Sequence, residues 1–289
     1  MSHAFRMNCF FLFFLMTNCL HASLEKITYP LSEQPIDVVI PCALKDKDLL
    51  PPCIAGIRQN GQNINRIIVV SKEKLTEDAE WFNENNYPFT KEDLAYEIFH
   101  GKTKKAQKFL ASKNSRIGWI FQQFLKLYAP FVIPKISSNV LILDADVIFT
   151  KPIAFMNKNG EPFFNISTEY HLPYFEHMKR VLPDLIKVNP KQSGVTHHML
   201  FQKPILEDLF QLITTKHRLI PWKALCRSID LKQVKHSSLS EYEIYFNFAQ
   251  LRTDQVHIRP LRFKNISPLR ELTKHEIKKN DYITSHNYL

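Results

Sequence analysis

Two aspartates separated by one alanine, Asp144 and Asp146, stand at the end of the run Asn139-Val140-Leu141-Ile142-Leu143. Four consecutive apolar residues without polar alternation suit a strand buried on both faces, as in a parallel sheet. Ionised groups are not buried without partners, so the carboxylates must leave that environment where the strand ends. Open parallel sheets bind ligands just beyond the carboxyl ends of their strands. If the extended geometry continues to Asp146, the two side chains project to one side. Such a pair is a hard anionic claw for Mg²⁺ or Mn²⁺, which accept one or two carboxylates and complete their shell with substrate phosphates. An aspartate-rich loop or helix cap would present the same three residues, so the weight of the motif comes from the buried strand before it.

The elements around it form an α/β alternation. Pro35–Leu44 reads as a first buried strand, Cys53–Gln59 as a helix and Ile64–Ser71 as a second strand, which implies a parallel, doubly wound sheet. Lys72–Thr90 is polar, holds Trp81 and is expected to be a helix plus loop. In the next helix Ile117, Ile120, Phe121, Phe124, Leu127 or Tyr128 and Phe131 make one apolar stripe. Trp119, Gln122, Gln123 and Lys126 lie around its other side, and Pro130 and Pro134 end it. Later come strand candidates at Glu161–Ser167 and Gly194–Gln202, and helices at Tyr174–Leu182 and Lys203–Lys216. No repeat, low-complexity tract or glycine/serine linker divides the chain. The expected organisation is residues 1–22 as signal peptide or membrane anchor, 23–34 as linker, and one α/β domain over 35–289.

Composition narrows the chemistry. With 45% apolar residues in 289 the chain can bury a sizeable core. Six glycines and no GxGxxG or GxxxxGK[ST] argue against phosphate cradling by a glycine-rich loop. The net charge of +10 favours acidic partners such as nucleotide phosphates or anionic lipid. The basic residues are dispersed, with Lys102–Lys105 the only tight cluster. Without zinc-finger spacing or an RNA-binding aromatic signature, nucleic acid is not an expected partner. Cys9, Cys19, Cys42, Cys53 and Cys226 show neither CxxC nor framework spacing. At the start, Arg6, an apolar run from Cys9 to Met16 and then Ala22 resemble a signal peptide. Export or membrane association is the expectation. A cytoplasmic location is the alternative if the true start lies at Met7 or Met16.

The ordered set DVVIP, IIVVS, RIGWxxQQxxK and LILDADVIF resembles GT-A-fold glycosyltransferases. More narrowly, it resembles a largely uncharacterised bacterial glycosyltransferase-like family, whose later H-x-M-L-F and S-E-Y-E are matched by His198–Phe201 and Ser240–Glu243. The resemblance runs from about Ile36 to the end. It implies a GT-A-like (Rossmann-like), mostly parallel sheet flanked by helices, a nucleotide-sugar donor, a divalent cation and a glycan or lipid acceptor. His286 resembles the late histidine that many metal-dependent GT-A enzymes use as a further ligand, beside Asp144 and Asp146.

Glycosyl transfer from a nucleotide diphosphate must stabilise a leaving pyrophosphate, which a bound cation does as a Lewis acid. Of Asp144 and Asp146, one can face the ribose or sugar while the other ligates the metal, directly or through water; Asp146 is a catalytic candidate and Asp144 a donor-binding one, and both are candidate metal ligands. Arg116 and Lys126 are candidates for phosphate neutralisation, or else solvated helix charges. Gln122 and Gln123 could hydrogen-bond a sugar or base. Of the adjacent His197 and His198, at most one reaches the site from a strand, and His198 fits the family pattern. Ser240 with Glu243 reads as a capping box, which leaves Glu241 free to contact hydroxyls, as general base. Two rivals use the same residues. A haloacid-dehalogenase phosphatase shares hhhhDxD but needs a downstream acidic pair beside a glycine, and Gly160 and Gly194 have no neighbouring aspartate. An exported carbohydrate-binding protein with a degenerate site is the non-enzymatic alternative.

Overall fold

The computed structural model describes residues 24–266 and 273–285; the expected leader and His286 lie outside the described residues. The chain begins with β1 (Ile36–Pro41), α1 (Leu50–Asn60) and β2 (Ile64–Ser71), a parallel βαβ unit. Next come β3 (Glu80–Asn83), α2 (Lys91–Ile98), α3 (Thr103–Leu110), α4 (Ile117–Val132) and β4 (Asn139–Leu143). They are followed by β5 (Val147–Phe149), β6 (Phe163–Phe164), α5 (Leu172–Val181), β7 (His198–Gln202) and α6 (Lys203–His217). The last elements are α7 (Pro221–Arg227), α8 (Glu241–Arg252), β8 (His257–Ile258), β9 (Phe263–Asn265), α9 (Lys274–Lys279) and β10 (Tyr282–Thr284).

The central sheet has the order β3-β2-β1-β4-β7, with β7 antiparallel to β4 and the other pairs parallel. It is a mixed α/β domain with a mostly parallel sheet flanked by helices. The apolar runs of β1 and β4 are buried on both faces, as their sequence requires. Alternate side chains serve two cores. Val39, Val70, Val140, Ile142 and Phe201 pack with α4, α6 and α8. Ile36, Val38, Ile40, Val69, Leu141 and Leu143 pack with α1 and with a small sheet of order β5-β10-β9.

Three expectations need correction. Trp81 lies in a strand, β3, whose indole N–H donates to the carbonyl of Ser71 at 3.2 Å. Pairing with the edge of β2 overrides the polar composition of Lys72–Thr90. Pro130 does not end α4 but lies inside it, and the helix runs on to Val132. The proline deprives the helix of one backbone donor, a cost of about 3 kcal/mol that burial of Phe124, Leu127, Tyr128 and Ala129 offsets. Residues 24–34, expected as a linker, are tied down. Tyr29 donates its hydroxyl to Asp208 at 2.6 Å and Ile27 its N–H to the Arg252 carbonyl at 2.7 Å. Among the described residues no helix is long and apolar enough to cross a membrane.

Gly194, in the loop before β7, presses on α8: a Cβ there would lie 2.5 Å from Phe246 Cβ, and Phe246 is fully buried. Gly118, in the first turn of α4, has nothing within 4 Å of the same hypothetical atom. Gly194→Ala is therefore expected to destabilise the fold by about 1–3 kcal/mol through overpacking. Gly118→Ala is expected to stabilise it by roughly 0.5–1 kcal/mol. Urea denaturation of both variants checks the pair, and equal midpoints would contradict the packing described.

Candidate active site at the carboxyl edge of the sheet

β1 has β2 on one side and β4 on the other, both parallel to it. The chain order thus reverses between β1 and β4, the place where open α/β sheets leave a crevice beyond their carboxyl ends. A cleft of about 390 Å³ opens there, bounded by Pro41 at the end of β1 and Cys42 after it, Val70 of β2, and Arg116, Trp119 and Gln122 of the α4 end. A second hollow of about 480 Å³ shares Cys42, Glu84 and Lys91 with it and continues past Ser71 and Lys72. Another hollow, about 620 Å³, is at the opposite edge of the sheet around Arg58, Asn63 and Arg66. There the Arg66 guanidinium is already engaged by Asp37 and Glu80 at 3.5 and 2.8 Å. The strand ends and the paired aspartates make the carboxyl edge the site.

The extended geometry expected through Asp146 stops at Leu143. The N–H of Val147 donates to the Asp144 carbonyl at 3.2 Å, closing a turn over Asp144-Ala145-Asp146. The turn is held from two sides. Asp144 donates its N–H to the His197 carbonyl at 2.9 Å, and Ser285 donates its N–H to the Asp146 carbonyl at 3.1 Å. Both aspartates are half-buried. Asp46, in the short helical turn Leu44–Leu49 after β1, feels the charge of Asp146: burial first, then that neighbour, hold its carboxyl above the usual range against Lys45. No spacing rule links Asp46 to the motif, and sequence reading missed it.

Lys126, expected to face phosphate, is instead buried. Its Nζ lies 2.6 Å from Asp144 Oδ1 and 2.8 Å from Glu241 Oε1, with side-chain exposures of 4% for the lysine and 1% for the glutamate. The same ammonium sits 4.4 Å from the centroid of the Tyr242 ring. Burial pushes the lysine towards neutrality, but Asp144 and Glu241 outweigh it and keep the ammonium charged, above its ordinary range. Burial raises the Glu241 carboxyl, opposed by Lys126. Among the described residues, Lys126 and the Tyr242 hydroxyl, at 3.4 Å, both contact the Asp144 carboxylate at Oδ1.

The other expected residues divide. Arg116 and Gln122 line the cleft, Arg116 donating to Ser237 Oγ at 3.0 Å. Gln123 is turned into its own helix, donating to the Trp119 carbonyl at 3.0 Å, and is buried. His198 is walled in by the rings of Phe149, Phe155 and Tyr282 at 5.2, 5.9 and 5.0 Å. Burial pushes its imidazole down to about 3, so it stays neutral and packs as an aromatic. The geometry thus does not bring Gln123 or His198 to the cleft. Glu241 is buried rather than free at a helix start. The capping box is half made: Ser240 accepts from the Glu243 N–H at 3.2 Å. The Glu243 carboxylate instead accepts from Ser193 and Asn247 at 2.5 and 2.8 Å.

Removing one member of a buried ion pair strands the other. Lys126→Met is expected to destabilise the fold by about 3–5 kcal/mol, with much of the loss recovered in Lys126→Met/Glu241→Gln. A double-mutant cycle in urea checks this; strict additivity would contradict the coupling.

Among solved structures the chain is similar to the mannosyltransferase Ktr4p from S. cerevisiae, at 12% identity and a TM-score of 0.47, over 82% of this chain and 75% of that one. It is also similar to mouse xyloside xylosyltransferase 1 (10% identity, TM-score 0.41, covering 87% and 98%). A third is the galactosyltransferase LgtC in complex with donor and acceptor sugar analogs (12%, TM-score 0.43, covering 86% of each chain). The chain has no significant match among curated proteins. Residues 54–269 match the model of a family of unknown function, DUF6492, and the chain belongs to that family.

Proposed function

We propose that this protein is a metal-dependent glycosyltransferase, moving a sugar from a nucleotide-sugar donor to a glycan or lipid acceptor. The observation that carries the reading is the half-buried Asp144/Asp146 turn at the carboxyl edge of β4, beside a cleft bounded by the ends of β1 and β2. A nucleoside fits that cleft between strand ends and the apolar and aromatic side chains Leu125, Phe121 and Trp119, with Arg116 and Lys91 at hand for phosphate charge.

Mn²⁺ or Mg²⁺ fits the donor set. Asp144 and Asp146 supply hard oxygen ligands, and the contacts that Lys126 and Tyr242 make to Asp144 fall on Oδ1. Among the described residues no three His, Cys, Asp or Glu side chains converge as a ready-made cage, so donor phosphates would complete the shell. Ser285 reaches the Asp146 carbonyl, and the next residue in sequence is His286, the proposed further ligand. The bound cation would stabilise the departing diphosphate as a Lewis acid. Lys126 holds Asp144 in orientation and carries a fixed positive charge beside it, in a dry setting where charge interactions are strong. Glu241 keeps Lys126 charged and thereby orients Asp144; a general-base role would require its second oxygen to face an acceptor hydroxyl.

The phosphatase alternative gains no comparable support. Its downstream acidic pair beside a glycine has no counterpart in sequence, since neither Gly160 nor Gly194 is followed or preceded by an aspartate. The N-terminal leader remains part of the proposal as a signal or anchor for membrane association.

Turnover of a panel of nucleotide sugars, with Mn²⁺ and with chelator, tests the reading; no hydrolysis or transfer of any donor would refute it. Asp146→Asn is expected to reduce metal-dependent turnover by roughly 10²–10³-fold, the range for a lost electrostatic stabiliser. Asp144→Asn should lower turnover similarly but also lower the melting temperature, because Lys126 loses an ionic partner. His286→Ala is expected to weaken Mn²⁺ affinity, measured by calorimetry, by about 10-fold or more without changing metal-free stability. Unaltered affinity would remove His286 from the ligand set.

A further inference from the structure

Between Glu97 and Asp144 the sequence holds eight lysines and arginines and no aspartate or glutamate. Five of the eight, Lys102, Lys104, Lys105, Lys108 and Lys113, lie on α3 and its flanks, and all five are exposed. Among the described residues no carboxylate pairs with any of them. Glu97, the last acidic residue before them, is already held by Lys223 at 3.1 Å and Arg227 at 2.7 Å. A surface that serves solubility alone intersperses both signs of charge. Local electrostatics also work against this arrangement. The first turn of α3 has no acidic residue and no side-chain cap, and Lys104 and Lys105 stand where the helix dipole is positive. Lys104 and Lys108, four residues apart, repel each other on one face. Departures of this kind from local preference gather at functional surfaces, and the counter-charge missing from the chain is an external anion.

The apolar side of α3 is already covered: Ala106 and Phe109 are buried, and the Phe109 ring meets Phe99 at 5.5 Å. What the helix offers outwards is charge, spread along roughly 12 Å of axis. A small anion meets one or two such ammonium groups, whereas an extended anionic surface meets them all. Beside them Tyr96 is 46% exposed, and a Cβ on Gly101, next to Lys102, would lie 3.2 Å from its hydroxyl. An exposed aromatic ring with a polar tip among lysines suits the headgroup layer of a bilayer. From the unpaired lysines and Tyr96 together we infer that α3 docks on the anionic headgroups of a lipid membrane. Only residues 111–115 separate α3 from Arg116 of the cleft, at most roughly 20 Å of chain. Resting on the glycosyltransferase reading, the docked helix makes the acceptor a lipid-linked one, presented at the membrane surface.

Vesicle co-sedimentation tests this. The full chain, without donor or metal, is mixed with vesicles of phosphatidylcholine alone or of phosphatidylcholine and phosphatidylglycerol in equal parts. Binding should be stronger to the anionic vesicles and should fall as salt is added. Lys104→Gln/Lys105→Gln/Lys108→Gln should weaken partitioning to anionic vesicles about 100-fold, from the contribution expected of each lysine near a charged surface. Binding to neutral vesicles should be the same for wild type and variant, since those charges play no part in apolar insertion. Tyr96→Ala, which alters no charge, should independently weaken partitioning about 5-fold through lost ring burial. Equal binding of the wild type to neutral and anionic vesicles, or equal binding of wild type and triple variant, overturns the docking. Lysine-dependent capture of dextran sulfate without a preference for anionic vesicles also overturns it, in favour of a soluble polyanion. Turnover of the donor panel without vesicles separates the two readings. Lipid docking without donor turnover sustains the helix and removes the transferase, while donor turnover without lipid preference does the reverse.

Discussion

The Lys126 ammonium is the constraint around which the site is arranged. It is buried in a face of α4 that also packs against the sheet, and a charge in that position is tolerable only with ionised partners at hydrogen-bond distance. Asp144 and Glu241 are those partners, one from the end of β4 and one from the start of α8. The consecutive elements α4 and β4 and the sequence-distant α8 are thereby fixed to one another at the carboxyl edge of the sheet. A hydrophobic replacement of the whole triad could be as stable, because buried ion pairs rarely stabilise beyond an apolar core. Its retention makes sense as orientation: it fixes the Asp144 carboxylate through Oδ1 at the end of β4.

The turn that carries the two aspartates depends on the rest of the chain in a second way. His197 adopts a left-handed backbone, at φ +66°, and its carbonyl takes the Asp144 N–H. A non-glycine residue in that region costs of order 1 kcal/mol and persists where its surroundings over-determine it. Those surroundings are aromatic: the His197 ring meets Phe263 and Tyr282, and His198 is enclosed by Phe149, Phe155 and Tyr282. Tyr282 belongs to β10, which pairs with β5 directly after the motif. The end of the described chain thus buttresses the middle, and a histidine that matches a sequence pattern serves as packing.

Legibility followed the range of the forces involved. The limits of β2 coincide with the strand expected at Ile64–Ser71, because its buried half, Ile67–Val70, leaves its mark in consecutive apolar residues. The α4 stripe was readable for the same reason. Helix α2 was not anticipated, although Thr90 and Asp93 form a complete capping box that could have marked its start. The Asp144/Asp146 pair stood out by its place after such a strand. Asp46 did not, since its relevance lies in a neighbour a hundred positions away and no local pattern encodes that.

What the sequence determined by itself is therefore the local and periodic part: an α/β alternation, a buried strand ending in two carboxylates, and a helix stripe packed against it. These follow from side-chain hydrophobicity and spacing, which act within a few residues. Only the tertiary structure decided which polar groups meet. It bent the DxD segment into a turn, closed Lys126 between Asp144 and Glu241, sent Glu243 to Ser193 and Asn247, and enclosed His198 in aromatic rings. The physical reason is that a buried charge or hydrogen-bonding group has to find its partner wherever the packed chain supplies one, and that choice depends on three-dimensional proximity.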